Sequence, residues 1–429
     1  MLPHLLAPTL ARRGIHYGWV VVAVTFVTAL VSAGAAGAPG VFILPLQKEF
    51  GWTTADISAA LSIRLALFGL MAPFAAALLN RFGLRNVALV SVSIVTLSLL
   101  LSLGMSQVWQ LILLWGVVVG FGTGMTALVL GATVATRWFS ARRGLVVGIL
   151  TASTATGQLI FLPTLAAITE RYGWRPALAL MCALLAIGAL VILALMRDRP
   201  SDVGQRVFGD DGSLPPPPPP PPSGAIAAAA FNALKDGSKT PVFWILFGTF
   251  FICGASTFGL IQTHLIPMCA DYGLPAASAA GLLAAMGVFD FIGTIASGWL
   301  SDRYDNRWLL FWYYGLRGLS LMFLPFTNFD FYGLSLFAVF YGLDWIATVP
   351  PTVKLTAQKF GPERANLVFG WIFAGHQIGA AFAAFAAGLS RTFLATYLPA
   401  FFAAGALCLI ASLAVLAIDK TLRAKAVAA

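Results

Sequence analysis

Twelve apolar runs, each long enough to cross a bilayer as a helix and divided by short loops, constrain this chain more than any other feature. A span needs about 20 mostly apolar residues, and in lipid a lone segment must be helical so that its backbone groups bond to one another. The runs fall at 17–44, 56–79, 87–105, 110–136, 144–168, 175–196, 242–268, 279–300, 308–325, 332–354, 366–389 and 395–418. Only 10% of the 429 residues are charged, against about a quarter in soluble domains, too few to coat a water-facing surface. The first run is longer than the apolar core of a signal peptide and reads as a retained span.

The net charge of +10 does not form a nucleic-acid patch. Basic residues sit in short clusters between runs: Arg12-Arg13, Arg81/Arg85, Arg137/Arg142/Arg143 and Arg303/Arg307. With the termini inside, 20 of the 26 Lys and Arg fall in cytoplasmic segments. Only Lys48, Arg171, Arg175 and Arg391 fall in outer loops, and Arg64 and Arg317 lie within spans. That imbalance predicts a multi-pass cell-membrane protein with both termini cytoplasmic. Cys182, Cys253, Cys269 and Cys408 make no C-x-x-C pair, so no disulfide, metal site or cofactor is expected. No H-E-x-x-H or G-x-S-x-G spacing points to an enzyme.

Residues 197–240 are the longest stretch between runs and carry eight consecutive prolines, Pro215 to Pro222. Such a run makes a polyproline II rod of about 25 Å, read here as a semi-rigid linker. The predicted division is 1–196, a first six-helix bundle; 197–240, a cytoplasmic linker; and 241–429, a second bundle.

The halves repeat. Asn80-Arg81 recurs 222 positions later as Asp302-Arg303, Arg85 as Arg307, and Ala76 as Gly298. The same shift carries Pro45, Phe50 and Gly51 to Pro267, Tyr272 and Gly273, and Arg142, Gly148 and Gly157 to Arg364, Gly370 and Gly379. The predicted fold is all-α: twelve transmembrane helices in two six-helix pseudo-symmetric bundles, with a site at their interface.

The stretch Gly298-Trp299-Leu300-Ser301-Asp302-Arg303, with Arg307 after it, resembles the loop signature of the major facilitator superfamily. Its first-half copy keeps Arg81, Gly83 and Arg85 with Asn80 for the aspartate. Within that superfamily the chain is similar to the monocarboxylate transporters and oxalate/formate antiporters. Tyr17-Gly18-Trp19, Glu49-Phe50-Gly51-Trp52, Arg137-Trp138-Phe139, Arg142-Arg143-Gly144 and Tyr172-Gly173-Trp174-Arg175 carry that likeness. The resemblance implies that Asp290 matches a span-eight aspartate, that Thr294 stands where members have an arginine, and that Gly40 stands where several have a lysine. In the family those two cations receive the substrate carboxylate.

Ionisable residues within spans are expensive and mark function. Asp290, Arg317, His376, Asp344 and Arg64 all fall near mid-span. Gly287, Gly293, Thr294 and Ser297 share a helical face with Asp290, as Tyr341 and Thr348 do with Asp344. Thr25, Thr28 and Ser32 on span one, and Thr151, Thr154 and Gln158 on span five, make similar strips that suit either a cavity or close packing. Asp290 is the leading proton-coupling carboxylate and Arg64 the leading substrate cation. Asp344, His376, Thr294 and Tyr341 are candidates for relay or recognition. Arg317 reads as a structural ion pair to Asp290 or Asp344. His264 reads as a wetted interfacial residue, and Trp308, Trp312, Tyr313 and Tyr314 as interface anchors. Asp302 can cap the following helix or pair with a cytoplasmic arginine in one access state; with Arg303, Arg307, Arg81 and Arg85 it forms a gating motif.

The expected function is alternating-access transport of a small organic solute, an anion such as a carboxylate, with the proton as coupling ion. The expected partners are that solute and the lipid bilayer, with no nucleic acid, and the expected assembly is a monomer. The alternatives are a proton-antiport efflux carrier for an amphiphile and a non-transporting membrane receptor. The linker is too short to be a receptor's signalling domain.

Overall fold

The computed structural model describes residues 2–126, 129–210 and 223–418. The described residues are almost wholly helical, and their only β pairing is a single bridge between Phe139 and Phe208. Eleven helices among them are long and apolar enough to span: Gly18–Phe50, Thr54–Ala75, Leu84–Ser102, Val108–Trp138, Trp174–Leu195, Pro241–Asp271, Ala276–Arg303, Asn306–Thr327, Phe331–Phe360, Arg364–Leu394 and Leu398–Ala417. With the 30-residue helix Arg143–Tyr172 as the fifth, these are spans one to twelve in chain order. Span one runs past residue 44 because Pro39, at the first position of a new helical segment, restarts the helix rather than ending it. Large apolar side chains such as Leu97, Leu190, Phe382 and Leu413 are exposed, as a lipid-facing surface requires.

Helix pairing repeats between the halves. Spans one and five, two and four, and three and six pack together; so do seven and eleven, eight and ten, and nine and twelve. Spans two and eleven, and five and eight, join the halves. The 222-residue shift also holds for single contacts. A Cβ at Gly120 would meet the Arg64 carbonyl oxygen at 2.8 Å, and one at Gly342 would meet the Met286 carbonyl oxygen at 2.8 Å. Both members of the pair are 222 apart. Glycine allows backbones to touch where any other residue would hold them apart. The turns after spans one and seven likewise use left-handed Gly51 and Gly273, φ 69° and 82°.

An even number of spans places both ends of the chain on one face, here called the terminal face. The polar links there also repeat. Arg137 Nη2 donates to Asn80 Oδ1 at 2.8 Å, joining spans two and four. Lys354 Nζ donates to Asp302 Oδ1 at 2.7 Å, joining eight and ten. Arg85 Nη2 reaches the Leu193 carbonyl at the end of span six, and Arg307 Nη1 reaches the Ile418 carbonyl beyond span twelve.

The segment between the halves is more folded than a spacer. Residues 197–210 dock on the first half: Asp198 accepts from the Arg85 amide, and Phe208 exchanges bonds with Trp138 and Ser140. Ser223–Gly237 is a helix. The hydrogen bond from exposed Lys239, just beyond the helix, holds the Asp236 carboxyl in its last turn below the usual carboxylate range. The proline run Pro215–Pro222 lies outside the described residues.

Candidate functional site

The site is built around an interruption in span ten. Its first helical segment ends at Asp344 and its second begins at Val349. The reason is local: Pro350 and Pro351 have no N–H to give to the carbonyls four residues back, those of Ile346 and Ala347. Backbone groups stripped of partners inside a membrane must be satisfied by the protein. Here each has an identified partner. Ile346 O accepts from the Val349 amide at 2.9 Å. Ala347 O accepts from Ser297 Oγ of span eight. Arg317 Nη2 of span nine donates to the carbonyls of Asp344 and Trp345, at 2.5 and 3.0 Å. The Ile346 amide donates to Asp290 Oδ1 of span eight at 2.9 Å.

Spans eight and nine thus supply side chains to a gap in span ten, and the charged residues are the means. Gly293 makes this possible, since its bare backbone lies against the Leu343 carbonyl. Arg317 is fully buried. Its Nε meets Asp344 Oδ2 at 2.6 Å and its Nη1 meets Cys253 Sγ at 2.9 Å, while that sulfur touches Thr348 Oγ1 at 3.2 Å. Of the two carboxylates expected beside Arg317, Asp344 makes the ion pair. Its other oxygen, Oδ1, is buried without a hydrogen-bond partner among the described residues. Thr294 Oγ1 donates to Asp290 Oδ1 at 3.0 Å, so a hydroxyl supports the carboxylate. Tyr341 is buried and donates its hydroxyl to the Ser256 carbonyl at 2.7 Å, at the start of a π-helical stretch, Ala255–Gln262, in span seven.

The corresponding stretch of the first half lacks both the charges and the prolines. Span four is helical to Gly124 and again from Val129, with residues 127–128 outside the described set. Its Gly122 carbonyl accepts from Ser91 Oγ of span three at 2.7 Å. The positions 222 before Asp290 and Arg317 are Phe68 and Val95.

Arg64 is the half-buried intramembrane cation of the first half. Its Nη1 donates to the Ala36 carbonyl at 2.9 Å, just before Pro39 restarts span one. Its Nε is buried with no hydrogen-bond partner among the described residues. No carboxylate among them pairs with it, in contrast to Arg317. Beside it is a void of about 10 Å³, walled by Phe42, Leu99, Trp115, Leu178 and Met181. The side chain is directed into the first bundle and not onto the seam with span eleven. His376 is nearly buried in the second bundle, with Phe250, Phe258 and Phe373 around its ring, and its Nδ1 is unpartnered. A larger cavity of about 250 Å³ lies between the halves at the face opposite the termini, where Arg391 pairs with Asp271 at 2.9 Å and Thr392 accepts from the Ala55 amide.

Several expectations are corrected. His264 is fully buried rather than wetted, held to the Ala384 carbonyl at 2.8 Å, because span seven packs against span eleven at that depth. Tyr314 is no interface anchor: it is buried with its ring 5.8 Å from the Arg317 guanidinium, while Trp308 and Trp312 are about half exposed. Asp305, not Asp302, caps span nine by accepting from the Arg307 amide at 3.0 Å. The partner of Asp302 is Lys354 and not an arginine. Arg303 instead stacks on Trp299 at 4.0 Å, and Arg81 is exposed. Thr25 and Thr28 are buried and bond to their own helix, at Val21 and Val24, which is packing and not a cavity wall. The side chains of Thr151 and Thr154 lie outside the described set.

Comparison with known proteins agrees with this architecture. A family model of the Major Facilitator Superfamily matches residues 24–384 and 291–427. The chain belongs to that superfamily of membrane transporters. It is 25% identical over 377 residues to the MFS-type transporter YcxA of Bacillus subtilis, covering 86% of this chain and 88% of that one. It is 26% identical over 403 residues to monocarboxylate transporter 13 of Bos taurus, covering 92% and 88%. The fold is shared with a bacterial homologue of the human lysosomal transporter Spinster, solved in an inward-facing and occupied conformation. The two superpose with TM-score 0.71 at 15% identity, covering 93% of this chain and 96% of that one.

Proposed function

We propose that this transporter carries a small organic anion, such as a carboxylate, in symport with protons. The two units, 1–196 and 241–429, alternate access to a site between them. The carrier works as a monomer in the cell membrane with both termini cytoplasmic, as the 20-to-4 division of basic residues favours.

The observation that carries this reading is the contrast between the two arginines within spans, Arg64 and Arg317. Arg317 is neutralised by Asp344 and fully engaged with backbone. Arg64 has a spare buried donor and no carboxylate among the described residues. A guanidinium left so within a bilayer is costly, and an anionic solute offsets that cost once the change of access turns Arg64 out of the first bundle toward it. Asp290 is the proton carrier in this reading: it bonds to a hydroxyl and an amide rather than to a cation, so it can take up a proton without breaking an ion pair. The relatives named monocarboxylate transporters point to the same class of solute.

The test is a solute screen in proteoliposomes with and without an imposed pH gradient. Uphill uptake of carboxylates driven by an inward proton gradient supports the reading. Proton-driven expulsion of an amphiphile, with carboxylates inert, replaces it with efflux antiport. No flux of any solute leaves a receptor role.

A further inference from the structure

The helix Ser223–Gly237 lies across the terminal face, against both span two and span eleven. Ala230, Ala233 and Gly237 are buried and recur at helical spacing, while Asn232, Lys235 and Asp236 face out. A small buried face lets the helix sit low on its neighbours. Its aromatic side chain, Phe231, about half exposed, completes a group of three rings, one from each element. Phe231 and Phe74 of span two have centroids 5.6 Å apart, Phe231 and Trp371 of span eleven 5.8 Å, and Phe74 and Trp371 6.0 Å.

The two sides of this contact differ. Toward the second half the helix is held by directional bonds. The Trp371 indole N–H donates to the Ala230 carbonyl at 2.8 Å, Arg364 stands 3.6 Å from Asp236, and Trp244 donates to the Ser238 carbonyl. Toward the first half the ring contact with Phe74 is apolar, without direction or charge. A segment attached in this way stays with the second half and can part from the first.

We propose that Ser223–Gly237 is an intramolecular latch. It is hinged on span eleven and closes on Phe74 of span two, so that it restrains the opening of the terminal face. The proposal rests on the alternating-access reading, in which spans two and eleven separate at this face. Release lengthens the time the face is open, and so raises the turnover of a carrier limited by that step.

The experiment reads opening directly, without a solute. Ala72 is buried under the latch at 8% exposure, so Ala72→Cys reports access of N-ethylmaleimide from the terminal face, against a background of four buried native cysteines. Phe231→Ala, and separately Trp371→Phe, which removes the hydrogen bond to Ala230 and leaves a smaller ring against Phe231, are expected to speed labelling several-fold. A Phe74→Cys/Phe231→Cys pair, oxidised to a disulfide, is expected to stop labelling at position 72, read by peptide mass spectrometry, and reductant to restore labelling at that position. Size-exclusion profiles matching the parent show that the variants are folded. Labelling that ignores all three changes in folded protein overturns the latch. Labelling that responds while no solute is moved leaves the latch standing and removes the transport reading instead.

Discussion

The Arg317 guanidinium bonds twice to one residue: its Nε to the Asp344 carboxylate at 2.6 Å and its Nη2 to the Asp344 carbonyl at 2.5 Å. A third bond, to the Trp345 carbonyl, makes it a splint across the gap in span ten. The pairing answers a cost that either charge alone would impose on the membrane interior.

Breaking that pair is therefore expected to destabilise the protein strongly. Asp344→Asn leaves Arg317 buried and uncompensated, a loss of about 3–5 kcal/mol. Arg317→Lys is expected to be nearly as damaging, since one ammonium cannot match the planar fork that meets carboxylate and carbonyls together. Thermal unfolding of detergent-purified protein, followed by size exclusion, measures both. A melting temperature within a degree of the parent for either variant would contradict the splint.

Asp290 has two jobs that substitutions can separate. Asp290→Asn keeps a side-chain oxygen for the Ile346 amide, so the fold is expected to survive. Asp290→Leu leaves that amide without its side-chain partner, at about 1–3 kcal/mol. With the proton role as proposed, Asn abolishes uphill uptake driven by a pH gradient, flattens the rise of uptake with falling outside pH, and spares counterflow. Uphill uptake at the parental rate in Asp290→Asn would leave only the capping job.

For Arg64 the comparison is between charge and shape. Arg64→Lys is expected to keep some carboxylate uptake with a raised KM, and Arg64→Gln to lose it more than tenfold. Binding of the same solute by the purified variants, measured calorimetrically, should follow the same order. Equal affinity in all three would remove Arg64 from the anion's path.

The Asp302–Lys354 link is exposed, 74% and 35% at the two side chains, so its removal should change stability by no more than about 1 kcal/mol. Its effect is expected in transport rate. Asp302→Lys and Lys354→Asp should each slow flux, and the double exchange should restore much of it. A double variant as slow as the worse single one would mean that the motif does not act through this pair.

Much of this architecture is legible from the chain because the signals are local. Each span declares itself by length and hydropathy, and the repeat by identities at one offset. Arg317 could be assigned a carboxylate partner from cost alone, although choosing Asp344 over Asp290 needed the crossing of spans nine and ten. The gap in span ten has a plain sequence mark, the adjacent Pro350 and Pro351, whose consequence for two carbonyls can be counted without a structure. What stayed hidden depends on packing between distant spans. His264 is dry because Ala384 and Tyr397 cover it. Tyr314 is inside because it lies one turn from Arg317 on the face of span nine that packs against spans seven and twelve. The helix at Ser223 looks like an alanine-rich tail of a linker until Phe231 is seen against Phe74 and Trp371.

Glycines bring helices together both inside each half and between the halves. Inside a half, Gly120, Gly342, Gly157 and Gly379 set one helix against the carbonyl oxygens of another. Between the halves, Gly69 lies against the Cβ of Gln377 and Gly40 against the Gln262 carbonyl. Neither a carbonyl nor a Cβ has a rotamer to change, so a larger residue at any of these positions is accommodated only if a whole helix moves. The spacing of the twelve rods is therefore written in residues without side chains, and a single added methyl would be felt along the full length of a span.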